Sequence, residues 1–389
     1  MQLNVEDFRR QARRKLPRFV FDYVDGGAED EDCLRRNTSD LRQLHLVPGC
    51  LRDTSEIDLS IEVFGRRWRA PFAIAPIGFN GLVRPRGDEL LARSAADAGV
   101  PFTLSTASNG RIEAVRNAAR DGEQWMQLYV MSDRSIAEQI VLRARREAYT
   151  ALVLTVDVPV SGYRERDVRN GFKLPFRPTL PVLFDLARHP GWLLGVARHG
   201  MPRFVNLSET VEAGTSAQLQ AALLARAMDR ALVWDSLAWL RKLWDGPLLL
   251  KGVLGPDDAR EATRRGVDGI IVSNHGGRQL DAAPSTISVL PDIVRAVGGQ
   301  LPVFIDSGFR RGSDIAKALA LGAKAVLIGR PAIYGLACGG SAGASSVLKL
   351  LAEELARSMT LLGAASPAAL TPGHLRPSAP GSHSGVTHV

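Results

Sequence analysis

From Pro71 to Ile328, short apolar runs alternate with stretches of helical length. The runs are Phe72 to Ala75, Phe102 to Leu104, Trp125 to Val130, Ala151 to Val156, Leu248 to Leu250, Ile270 to Val272, Val303 to Ile305 and Ala325 to Ile328. Most of them are apolar on successive residues, the pattern of strands covered on both faces. Between them lie amphipathic segments such as Gly87 to Ala98, Ser132 to Glu147 and Asp257 to Arg265. Eight strands alternating with helices predict an α/β chain folded as a parallel (β/α)8 TIM barrel, not an open sheet. Two short helices precede it: Pro17 interrupts the first, and Gly26-Gly27 stops the second just after Tyr23. Residues 1–365 read as one domain. The tail from Ser366 to Val389, rich in Pro, Gly, Ser and His, is expected to be mobile, and His383 and His388 are too sparse for a metal site.

One interval breaks the rhythm. About 90 residues separate Asp157 from Leu248, far more than a strand-to-strand crossover needs. Its stretch 176–215 reads as an insertion after the fourth strand. Apolar clusters at Leu180 to Leu186 and Trp192 to Val196 are flanked by Arg177, Arg188, Arg198 and Arg203. That composition suits a segment lying in a membrane interface. It suits equally a lid on the barrel or an oligomer contact.

In such a barrel, chemistry collects where strands end. Those ends read Pro76-Ile77-Gly78, Ser105-Thr106, Gln127-Leu128-Tyr129, Thr155-Val156-Asp157 and Lys251-Gly252. After the sixth strand comes Ser273-Asn274-His275-Gly276-Gly277-Arg278-Gln279-Leu280-Asp281. Histidine is the side chain suited to take a proton near neutral pH, and arginine grips a carboxylate with two hydrogen bonds. A base and a carboxylate clamp on one loop suggest an acid carrying a removable proton. Two glycine-rich turns with arginine, Asp306-Ser307-Gly308-Phe309-Arg310-Arg311-Gly312 and Gly329-Arg330, follow the last two strands, where barrels commonly bind phosphate.

Composition narrows this further. Three scattered cysteines, Cys33, Cys50 and Cys338, indicate neither a disulfide framework nor a metal site. The polar N-terminus lacks a secretory pattern, and no run is long and apolar enough to span a bilayer. The net charge of +8 has no nucleic-acid motif beside it, leaving an anionic substrate, cofactor or membrane face as its reason.

These motifs resemble the FMN-dependent L-2-hydroxy-acid oxidase/dehydrogenase family from Val5 to about Leu362. Gly162 to Asp167 and Arg198 to Pro202 are similar to its membrane-associated bacterial branch. The resemblance implies FMN and oxidation of (S)-mandelate or a related aromatic 2-hydroxy acid to the 2-keto acid. His275 would be the base, paired with Asp157. Arg278 and Tyr23 would hold the carboxylate, and Tyr129 and Arg164 the hydroxyl region. Lys251 would sit at the flavin N1/O2 edge. Ser105, Gln127 and Thr155 would bind the ring edge, and Ile77 and Gly78 would lie against the ring. Asp306 would bind the ribityl chain, with Arg310, Gly329 and Arg330 on the phosphate and Ser273 and Gly308 in the same site. Many relatives carry alanine where this chain has Gly78, and the lost methyl would open room for a bulky substrate. The resemblance further implies a quinone or respiratory-chain acceptor, peripheral attachment to the inner, cytoplasmic face of the cell membrane, and a homotetramer. The alternative is a soluble oxidase of glycolate, lactate or longer acids that passes electrons to O2 and makes H2O2.

Overall fold

The computed structural model describes residues 2–171, 180–207 and 228–377. Eight parallel strands close into a barrel: β1 Phe72–Ile74, β2 Phe102–Leu104, β3 Gln124–Leu128, β4 Ala151–Thr155, β5 Leu248–Val253, β6 Gly269–Val272, β7 Val303–Ile305 and β8 Ala325–Ile328. The ring shuts where β8 pairs with β1, Val326 opposite Phe72. All eight expected strands are present, shifted by at most a few residues at their ends.

Strand periodicity divides the core in two. Ala73, Trp125, Val153, Leu249, Ile271, Phe304 and Leu327 point into the barrel. Their neighbours, among them Ile74, Met126, Leu152, Leu250, Ile270 and Val272, face the surrounding helices. A hairpin that the sequence pattern did not reveal, Ile61–Val63 with Arg66–Trp68, stoppers the N-terminal end of the barrel. Its buried Trp68 lies 5.4 Å from the Trp125 ring and 6.2 Å from Phe304. The Trp68 and Trp125 indole N–H groups both donate to Glu123, at 2.8 Å each. The plug therefore buries its aromatic surface without leaving those donors unpaired.

The segment from Ser366, expected to be mobile, is ordered as far as it is described. After two 3-10 turns, Leu375–Pro377 pairs antiparallel with Leu44–Leu46, tying the two ends of the fold together. Composition misleads here because a short strand draws its order from a partner some 330 positions away. Positions 378–389, with His383 and His388, lie outside the described residues.

The insertion does follow β4. Its described part holds two helices, Leu180–Ala187 and Pro190–His199, latched to the N-terminal region. The backbone N–H of Arg18 donates to Asp185 at 2.6 Å, and the Trp192 indole N–H donates to the Leu82 carbonyl at 2.8 Å, with its ring edge-on to Phe19. Trp192 thus packs on the protein, while Leu183, Phe184, Leu194 and Met201 remain exposed. Phe176 and Arg177 fall outside the described residues, as do 208–215.

Candidate active site

The two-residue period that fills the barrel also builds its mouth. One step beyond the inward core residues Trp125, Val153, Leu249, Ile271 and Phe304 stand Gln127, Thr155, Lys251, Ser273 and Asp306, with Ser105 at the matching place on β2. Apolar strands therefore end in a ring of hydrogen-bonding groups. They are cross-linked: Gln127 Nε2 donates to the Thr155 hydroxyl at 3.0 Å, and its Oε1 accepts from Ser105 Oγ at 3.1 Å. Lys251 Nζ donates to Ser273 Oγ at 2.8 Å and lies 3.1 Å from an Asp306 oxygen. Burial opposes the Lys251 charge, but Asp306 and Asp157 outweigh it and hold its pKa above the ordinary lysine range. This lysine stays charged.

His275 stands on the loop after β6 in the left-handed region, at φ 58°, followed by Gly276 and Gly277 at 69° and 73°. Its Nδ1 lies 3.0 Å from Asp157 Oδ1, and its Nε2 lies 3.4 Å from the Tyr129 hydroxyl. Burial works against ionisation of Asp157, yet His275 and Lys251 prevail and its pKa falls below the ordinary value. Desolvation, with Asp157 adding to it, raises the Tyr129 phenol, so Tyr129 stays neutral. Gly252 makes room for the acid: at φ 108°, a Cβ there would come within 2.7 Å of the Asp157 Cβ. A carboxylate fixed behind Nδ1 orients the ring and stabilises its protonated form, leaving Nε2 to accept a proton.

Arg278 completes the group. One terminal nitrogen donates to the carbonyls of Tyr23 at 2.6 Å and Gly26 at 3.0 Å, and the guanidinium lies 5.0 Å from the centre of the Tyr23 ring. Desolvation, reinforced by Arg164, pulls its pKa down. No acid pairs with it among the described residues, so it is a cation suited to an incoming anion. Arg164 differs, being bound to Asp167 at 3.0 Å.

Tyr23, Ile77, Gly78, Ser105, Tyr129, Arg164, Lys251, His275, Arg278, Asp306, Gly308, Arg310, Gly329 and Arg330 all line one cavity of ≈ 250 Å³. Asp157, Gln127, Thr155 and Ser273 stand directly behind this lining. The Arg310 guanidinium donates to the Phe309 carbonyl and has no acidic partner among the described residues, while its backbone N–H donates to Asp314. Arg330 is more engaged, donating to the carbonyls of Val24, Gly26 and Gly276 at 2.8–2.9 Å. Burial, with Arg278 adding to it, lowers its pKa to about 10. Sequence reasoning missed the apolar wall of Phe79, Val158, Phe204 and Met228, because these residues sit in irregular segments with no motif.

Gly78 lines the cavity and is also tightly packed on its far side. A methyl there would meet the Ala107 Cβ at 2.9 Å and its carbonyl oxygen at 3.0 Å. The absent side chain makes room for the loop after β2, whose Ala107 carbonyl accepts from the Phe79 N–H at 2.9 Å. Gly78 and Ala107 both line the cavity, so a methyl would crowd this wall against that loop. Gly78→Ala should therefore lower the melting temperature by several degrees, as overpacking costs about 1–3 kcal/mol. An unchanged melting temperature with reduced tolerance for bulky acids would place the methyl in the cavity instead.

The FMN-dependent dehydrogenase family matches residues 12–377. The chain belongs to that family. It is 48% identical over 373 residues to the (S)-mandelate dehydrogenase of Pseudomonas putida, covering 96% of this chain and 93% of that protein. It is 43% identical to the L-lactate dehydrogenase of Vibrio parahaemolyticus, covering 92% of this chain and 94% of that protein. Among solved structures, a monotopic membrane protein (S)-mandelate dehydrogenase superposes with a TM-score of 0.92 at 47% identity, over 97% of this chain and 99% of that one. This family member is an FMN-dependent dehydrogenase, and its residues fit the cofactor. The mouth offers donors at Ser105, Gln127 and Lys251, and the turns after β7 and β8 bring backbone close to two arginines. Gly308, at φ 94°, leaves no space for a side chain, since a Cβ would lie 2.3 Å from the Asn37 carbonyl oxygen.

Proposed function

We propose that this enzyme oxidises an L-2-hydroxy acid with an aromatic side group, (S)-mandelate first among candidates, to the 2-keto acid. The observation that carries this reading is a single cavity holding both a carboxylate-backed histidine and a guanidinium with unfilled donors. Arg278, over Tyr23, takes the substrate carboxylate. His275 accepts a proton at Nε2, and Asp157 stabilises the imidazolium. Tyr129 and Arg164 hold the hydroxyl region. The wall of Phe79, Phe204 and Met228 suits a ring, in line with the mandelate relatives.

FMN, when bound, supplies the acceptor for the two electrons. Ile77 and Gly78 would back its ring, while Ser105, Gln127, Thr155 and Ser273 would bond its edge. The charged Lys251 would stand at the N1/O2 edge and favour electron uptake there. Asp306 and Gly308 would hold the ribityl chain, and Arg310, Gly329 and Arg330 the phosphate. Anaerobic bleaching of the yellow enzyme by a panel of 2-hydroxy acids, followed by reoxidation with a quinone or O2, tests both halves of the reading. Failure of every acid to bleach it would refute the activity. Rapid reoxidation by O2 would favour the soluble oxidase.

The acceptor we infer is a membrane quinone or respiratory carrier, reached from the cytoplasmic face by a homotetramer. No helix among the described residues is long and apolar enough to cross a membrane. The insertion instead exposes Leu183, Phe184 and Leu194, the last of which lines a cleft of ≈ 1100 Å³. Arg14, Lys15, Arg84, Arg86, Arg188, Arg198 and Arg203 line this cleft, with no acidic residue among them. Apolar groups beside cations suit an anionic bilayer surface, each cation contributing about 1 kcal/mol. Replacing only the two insertion helices, residues 180–199, with a short polar loop that leaves Phe204 and Asn206 in place should move the protein to the soluble fraction and leave turnover with an artificial acceptor largely intact. If the intact protein ignores anionic liposomes at low salt, the insertion is a lid or an oligomer contact.

A further inference from the structure

We infer that Phe204 sets the side-chain specificity of the reaction, and that Asn206, Asn109 and Asp88 form a clamp holding it in the cavity. The inference rests on the 2-hydroxy-acid reading above. Phe204 belongs to the end of the insertion, yet it is buried and lines the same cavity as His275 and Arg278. Its ring lies 4.9 Å from Phe79, tilted by 30°, and Phe79 stands edge-on to Tyr23 at 6.0 Å. A row of three aromatic rings thus starts at the proposed carboxylate clamp and ends on the insertion.

Hydrogen bonds on both sides of Phe204 fix its backbone. On one side, Asn109 Nδ2 donates to the Arg203 carbonyl at 2.8 Å. On the other, Asn206 Nδ2 donates to Ser108 Oγ and the Gly110 carbonyl, both at 2.9 Å. Asn206 Oδ1 accepts from the Ile112 N–H at 3.2 Å and from Arg143 at 3.1 Å. The loop receiving these bonds is itself anchored. The buried Asp88 carboxylate accepts from the backbone N–H groups of Asn109 at 2.9 Å and Gly110 at 2.8 Å, and from Asn80 Nδ2 at 2.7 Å. Asn80 Nδ2 also donates to the Ile77 carbonyl at 2.9 Å, and Asn109 Oδ1 accepts from the Gly81 N–H at 2.9 Å. One network of hydrogen bonds therefore joins the loops after β1 and β2 to the end of the insertion. Asp88 and Asn206, each buried and each making several of these bonds, fix the geometry, with the half-buried Asn109 bridging between them. Asn206 does not line the cavity, so it acts through Phe204 as a positioning residue.

The test compares kcat/KM for (S)-mandelate, 3-phenyllactate and L-lactate in the full-length FMN enzyme. A lost apolar contact in a pocket is worth roughly 10–200-fold in selectivity. Phe204→Ala should shift the mandelate-to-phenyllactate ratio at least ~10-fold toward the longer acid. Asn206→Ala should shift the ratio the same way, mainly through KM, and Asn206→Asp, which keeps Oδ1 but loses the donor, should also shift it. Phe204→Leu, a milder change, should give a smaller shift in the same direction and keeps the inference testable if the alanine variants fail to fold. The inference is overturned if Phe204→Leu and Phe204→Ala alter all three acids equally, or if the Asn206 variants fold and leave the ratio untouched. Failure of all three acids to bleach the unmodified enzyme would instead refute the underlying activity.

Discussion

Anaerobic flavin reduction should slow by about 10²–10⁴-fold in His275→Asn, the loss expected on removing a general base. Asparagine roughly preserves size and polarity but cannot accept the proton. FMN should remain bound, because the ring, ribityl and phosphate groups are assigned to other residues, and a normal visible spectrum would verify this. Asp157→Asn should also slow reduction, since the ring would lose the carboxylate 3.0 Å from Nδ1 that stabilises its protonated form. A near-normal reduction rate in His275→Asn, measured by stopped flow, would mean that the proton leaves by another route.

The second large effect belongs to Arg278. Replacing it with lysine keeps the charge but loses the planar fork, so KM should rise by about 10- to 100-fold with flavin binding little changed. Arg278→Ala should be worse, because the substrate carboxylate would then sit partly desolvated and unpaired, a situation costing about 3–5 kcal/mol. The unmodified enzyme should use mandelate far better than mandelamide. Equal use of the acid and the amide would show that the cavity does not recognise a carboxylate at Arg278.

Much of this arrangement is legible in the sequence because strands impose a rigid period. Once Trp125, Leu249 and Phe304 face the barrel axis, Gln127, Lys251 and Asp306 have to follow at its mouth. The chemistry on the loops after β6, β7 and β8 stays close to its strand, so its location reads directly. Phe204 and Met228 could not be found this way. Both lie in the long stretch between β4 and β5, and their placement depends on distant partners, Phe79 for Phe204 and Met131 for Met228, that no local pattern encodes. Gly78 shows a different limit: a glycine announces that something comes close, but not from which side. The hairpin ending at Trp68 escaped for a third reason, since strands of only three residues, one of them Arg66-Arg67-Trp68, are too short to show a period.

That hairpin has a consequence for traffic through the enzyme. With Trp68, Trp125 and Phe304 filling one end of the barrel, the axis is a blind tube and not a conduit. Hydroxy acid, keto acid and electron acceptor must all do business at the opposite rim, beside the insertion. The two half-reactions then share a doorway and take turns.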